Sequence, residues 1–234
     1  MMEVRKRLFF MVSVFLIGTF GGFIYCQKII RLLVSALSLN GINIIFTSPF
    51  QFINLSISTG VLVGFLSAFP LIILQFLSFL KPALRPKEYR MTLGFLPFSF
   101  VLFVIGFAFG ALIMKWQIKI FLSQSTLLGI GNMLDVTRLL SVVIITSVLM
   151  GIAFEFPIIL LILIRLKVIK HQQLSKLRPW VYLGSFIFAL LLPPDSILAD
   201  VLLSLPLAIL FEITLILNKV MERSKLGREV LEGA

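Results

Sequence analysis

The chain reads as an all-α polytopic membrane protein, with six transmembrane helices in a cupped bundle and both termini on the inner (cytoplasmic, stromal or matrix) side. Three observations predict this. Of its 234 residues 59% are hydrophobic and only 13% charged, at a mean hydropathy of +1.11, too apolar for a soluble domain of this size. Apolar runs long enough to cross a hydrocarbon core of about 30 Å recur along the chain. Basic residues gather in alternate connections between those runs, as orientation signals do. The formal net charge of +11 therefore reads as topology. Its cations form no continuous stripe, so the expected surroundings are a lipid membrane and no nucleic acid.

The first span covers 8–26, after Arg5, Lys6 and Arg7. It lacks a small-residue cleavage site followed by a hydrophilic region, so it is expected to be retained. Spans two to four cover 54–80, 92–114 and 139–164. The last two, 179–192 and 197–217, flank "PPDS". Two prolines remove a backbone donor and clash with the preceding turn, so two helices and a tight turn are expected. With both ends inside, sixteen of the 21 lysines and arginines fall on the inner side. No internal repeat or soluble region interrupts the pattern, and 1–234 is expected to be one domain.

Cys26 is the only cysteine and His171 the only histidine. Zinc-protease and bis-histidine haem sites need several such ligands together, so those enzyme classes and their metal or haem groups are not expected. The informative residues are polar ones in apolar surroundings. Glu155 lies within span four, in "GIAFEFP", where an acid costs about 2.5–3.5 kcal/mol on insertion scales. It reads either as a functional group facing a concavity or as a structural hydrogen bond to a neighbouring helix. Pro157 is expected to kink this helix. Glu212, in "LFEITL", reads as snorkelling towards headgroups or meeting a partner. Asp195 is expected to cap the helix that follows "PP" rather than carry chemistry, and Asp200, one turn further on, is expected to face the outer interface or a partner.

The first inner connection, "FLSFLKPALRPKEYR" (76–90), packs Lys81, Arg85, Lys87 and Arg90 around one acid, Glu88. Glu88 balances local charge, or it accepts a visiting guanidinium through paired hydrogen bonds that lysine does not reproduce. Pro82 and Pro86 stiffen the connection. Local physics alone leaves both readings open.

"FTSPFQFINLS", "FPLIILQFLSFLKPALRPKEYR", "GIAFEFP", "RPWVYLGSF" and "LLPPDS…LSLPLAILFEI" follow one another in an order that resembles the TatC family, the multi-spanning receptor subunit of the twin-arginine protein translocase. The resemblance runs from Glu3 to about Glu222. It implies a non-enzymatic receptor for signal peptides with paired arginines, exporting folded proteins at the expense of the proton-motive force. By that resemblance Glu88, Phe79, Glu3 and Arg5 belong to the signal-peptide site, and Glu155 is the intramembrane glutamate. Pro49, Asp195, Asp200 and Glu212 are structural or partner-contact positions. The implied partners are single-span TatA/TatB-type subunits and further copies of the chain in a receptor complex. The implied location is an energy-transducing membrane: thylakoid, bacterial inner or mitochondrial inner membrane. Departures are the shortened stretch before Glu3, Leu192 where the family carries threonine, and Ala199 where it carries glutamine, beside Asp200. The competing class is a proton-coupled ion or solute transporter using Glu155, and a third is a purely structural assembly subunit.

Overall fold

The computed structural model describes residues 2–37, 44–46, 48–80, 94, 96–127, 134–165, 176–193 and 196–232, with side chains omitted at 2–4, 44, 76, 79, 80, 126, 165 and 220–232. In order these form α1 (Met2–Ile24), α2 (Cys26–Ala36), β1 (Ile44–Ile45), α3 (Pro49–Leu80), α4 (Leu96–Leu127), β2 (Leu134–Asp135), α5 (Val136–Ala153), α6 (Phe156–Arg165), α7 (Arg178–Leu190) and α8 (Ile197–Glu232). Among the described residues five stretches are long and apolar enough to cross a bilayer: Arg5–Ile24, Pro49–Gln75, Leu96–Ser125, Val136–Ile164 and Ile197–Lys219. Helix α7, expected as a further span, has 13 residues, or about 20 Å.

Close packing follows small residues. Gly18 and Gly22 of α1 meet Gly64 and Gly60 of α3 in antiparallel order. A Cβ built on Gly18 would stand 2.9 Å from the Gly64 Cα, and one on Gly22 3.0 Å from the Gly60 Cα. Two small-xxx-small stripes thus let the backbones touch, the contact that drives helix association where lipid removes the hydrophobic advantage. The same device joins α4 to α5: a Cβ on Gly106 would lie 2.7 Å from the Met150 carbonyl oxygen, and one on Gly110 2.9 Å from the Ser147 Cα. Gly151 receives the Phe103 ring in return.

Helix α4 continues to Leu127, well past the span end expected at 114. The helical period simply persists: Ile113, Met114 and Ile118 are buried while Lys115 and Lys119 stay exposed. Helix α2 is amphipathic, with Ile29, Ile30, Leu33 and Val34 half-buried and Lys28 and Arg31 exposed. Lys115 caps its end by donating from Nζ to the Ala36 carbonyl at 2.8 Å. Nearby, β1 and β2 pair in parallel. Asp135 caps α5 by accepting from the Thr137 and Arg138 amides at 2.9 and 3.1 Å, and Gln51 Nε2 donates to its other oxygen at 2.7 Å. These contacts knit the end of the bundle opposite the N-terminus.

The kink expected at Pro157 is a true break. Helix α5 ends at Ala153 and α6 begins at Phe156. Proline has no N–H for the Ala153 carbonyl, and the Glu155 amide bonds three residues back, to the Ile152 carbonyl at 3.0 Å.

Candidate functional site

The break between α5 and α6 sets Glu155 on the wall of a cavity of about 200 Å³. Phe69, Ile73 and Leu77 line it from α3, Leu96 and Ser99 from α4, and Ile158 and Ile162 from α6. Leu77, Ile158 and Ile162 are themselves core residues, so the walls are firmly held. Glu155 is 8% exposed. Ser99 Oγ donates to Glu155 Oε2 at 2.5 Å, while Oε1 has no hydrogen-bond partner among the described residues. An unsatisfied buried acceptor costs roughly 1–3 kcal/mol, and a visiting donor recovers that. The arrangement therefore fits an apolar occupant that brings one hydrogen-bond donor.

A larger groove of about 390 Å³ opens between α7 and its neighbours, lined by Phe156, Trp180, Val181, Gly184, Phe188 and Leu207 among others. Among the described residues no ionisable group lines it. Glu212 behaves differently from Glu155. It is tied across α7 and α8, with Arg178 Nη2 at 3.2 Å on one oxygen and the Tyr182 hydroxyl donating to the other.

At the N-terminal end of the bundle, Arg5 is exposed on α1 and Arg7 Nη1 donates to Ser78 Oγ of α3. Phe79 follows in the last turn of α3, and Glu3 stands in the first turn of α1. Glu88 and Asp195 lie outside the described residues. Pro49 is the first residue of α3, where its missing N–H has no intrahelical partner to lose. Asp200 is buried in the first turn of α8, where a carboxylate complements the helix dipole. Of the expected site residues, the bundle thus gathers Glu3, Arg5 and Phe79 at one end and sets Glu155 apart in the cavity. Ser99, the Gln51–Asp135 pair and Arg7–Ser78 did not stand out in the sequence, because each depends on a partner at least 56 residues away. Among the described residues, no cluster of His, Cys, Asp and Glu is arranged to hold a metal.

These features define an integral multi-pass helical membrane protein with a buried acid opening into an apolar cavity. The family model for the Sec-independent protein translocase protein (TatC) matches residues 1–206, and the chain belongs to that family. It is 32% identical over 232 residues to the Sec-independent protein translocase protein TatC of Aquifex aeolicus, covering 95% of this chain and 94% of that one. It is 27% identical to TatCy of Bacillus subtilis, over 99% of this chain and 93% of the relative. A crystal structure of the twin arginine translocase receptor TatC in DDM superposes with a TM-score of 0.81 at 31% identity, covering 92% of this chain and 97% of that one.

Proposed function

We propose that the chain is the core receptor subunit of a twin-arginine translocation system, binding Arg-Arg signal peptides and mediating proton-motive-force-dependent export of folded proteins. The observation that carries this is the superposition on a solved twin arginine translocase receptor over 92% of the chain. On this reading α7 is a sixth, short span and the basic connections face the inner side, in keeping with the positive-inside pattern. Glu88 is the guanidinium partner in the first inner connection, with Phe79 beside it as an apolar wall or cation–π face. Glu3 and Arg5 complete the surface from α1. The apolar stretch of the signal lies along the cavity bearing Glu155, whose free oxygen suits a donor from that stretch. Single-span TatA/TatB-type helices and further copies of the chain complete the receptor complex. Pro49, Asp195, Asp200 and Glu212 maintain the fold or meet those partners.

The test is photocrosslinking in energised membranes, with probes at Phe79 and Glu88 and twin-arginine against twin-lysine precursors. Arginine-dependent crosslinks that disappear in Glu88→Ala are the expected result. Equal labelling by both precursors would overturn the receptor assignment and favour a solute carrier built around Glu155.

A further inference from the structure

We propose that the crevice between α4 and α5, at the end of the bundle opposite the N-terminus, binds one phosphatidylethanolamine of the surrounding leaflet. Arg138 takes the phosphate, Gln117 accepts from the ammonium, and the apolar walls hold part of an acyl chain. The site stands apart from the receptor reading and needs only that the chain spans a membrane.

The crevice has a volume of about 280 Å³. One face of α4 walls it with Met114, Gln117 and Ile118, and one face of α5 with Arg138, Leu139 and Val142, each set at helical spacing. The glycine seam fixes their register. Counting eight residues along both helices from the Gly110–Ser147 contact sets Ile118 level with Leu139, so Gln117 and Arg138 lie within about one helical turn of each other in depth. That depth is the membrane surface. Helix α4 has 32 residues, about 48 Å of helix against a hydrocarbon core of about 30 Å, so it projects into the headgroups. Exposed Lys115, Trp116 and Lys119 mark the end where it does so, since indole and lysine side chains collect at that interface. Gln117 Oε1 is buried there with no hydrogen-bond partner among the described residues, a cost that a visiting N–H donor recovers. Arg138 is exposed on the facing helix, and a guanidinium takes a phosphate through two parallel hydrogen bonds. Asp135, the cap of α5, adds a carboxylate to the lining. One cation beside a neutral acceptor and a carboxylate complements a phosphate joined to a primary ammonium. A phosphatidylglycerol headgroup brings no cation for Asp135, and a phosphatidylcholine brings no N–H for Gln117. A transmembrane helix satisfies its own backbone and brings no phosphate for Arg138. Towards mid-membrane the crevice continues between Met114 and Val142, the direction in which an acyl chain runs.

The test is native mass spectrometry of the full-length protein in a mild detergent, supplied in turn with palmitoyl-oleoyl phosphatidylethanolamine, phosphatidylcholine and phosphatidylglycerol. Unaltered protein should retain phosphatidylethanolamine about three- to tenfold better than phosphatidylcholine, the scale of one hydrogen bond to a charged group. Gln117→Leu should bring phosphatidylethanolamine down to the level of phosphatidylcholine and leave phosphatidylcholine unchanged. Gln117→Glu, which keeps an acceptor, should preserve the preference. Arg138→Gln should lower retention of all three lipids about three- to tenfold, because each carries the phosphate. No preference for phosphatidylethanolamine over the other two overturns the proposal. So does a preference that survives Gln117→Leu or is lost in Gln117→Glu, or retention that survives Arg138→Gln, since the lipid then sits elsewhere. An equal fall for phosphatidylethanolamine and phosphatidylcholine in Gln117→Leu also overturns it, because a general loss of structure has no preference for an ammonium. Dimer peaks in place of lipid adducts, lost in Arg138→Gln, would make the crevice a contact between copies of the chain and overturn it as well.

Discussion

Glu155 and Glu212 are both acids within apolar helices, yet the two regions treat them in opposite ways. Around Glu212 every visible need is met: Arg178 and Tyr182 reach it from α7, and its side chain is 34% exposed. Around Glu155, among the described residues, only Ser99 answers, and one oxygen is left over in a cavity walled by side chains of isoleucine, leucine and phenylalanine. A satisfied acid holds helices together; an acid kept buried and half-satisfied retains its capacity for a visitor. The same residue type in similar sequence contexts thus meets different surroundings, set by the side chains that reach it.

The contrast can be broken most sharply at Glu155. Glu155→Ala should lower translocation in membrane vesicles by at least about tenfold while leaving the detergent-solubilised melting point nearly level, because relief of the unpartnered Oε1 offsets loss of the Ser99 bond. Full transport with a collapsed melting point would reverse the roles assigned to the two acids. Next in size comes Arg178→Ala, which leaves Glu212 with Tyr182 alone. It should destabilise the α7–α8 contact by about 1 kcal/mol, read as a lower melting point with transport reduced only in proportion to the protein remaining. A double-mutant cycle with Glu212→Ala should return a coupling of about 0.5–1 kcal/mol. No coupling would mean that the pair is incidental. The smallest effect is expected from Ser99→Ala. It removes the one described partner of Glu155, so transport should drop about two- to fivefold, the scale of a single modest hydrogen bond, with stability nearly unchanged.

Much of this arrangement was legible in the sequence. Apolar runs located the long helices, and Pro157 announced a bend beside Glu155, because a missing donor acts locally. The glycines of α1 and α3 were also legible in principle, since Gly18/Gly22 and Gly60/Gly64 each keep a four-residue spacing. That spacing alone does not say which stripe meets which. Helix α2 carried an amphipathic pattern in "KIIRLLV", but its shortness hid it behind the end of the first span. The short strand pair and the partners of Glu212 and Glu155 were beyond reach. Ser99 lies 56 residues from Glu155 and Arg178 lies 34 from Glu212. Such pairings emerge only once helices have chosen their neighbours.

The glycine seams also bear on how the molecule is made. The tight contacts of α1 with α3 and of α4 with α5 join elements close in the chain, and α7 and α8 are likewise held by the Arg178–Glu212 pair. The protein is in effect three antiparallel hairpins, each able to close soon after its second arm leaves the ribosome. The cavity bearing Glu155 draws its walls from α3 in the first hairpin and from α4, α5 and α6 in the second. Synthesis therefore completes the cavity only when two finished hairpins dock.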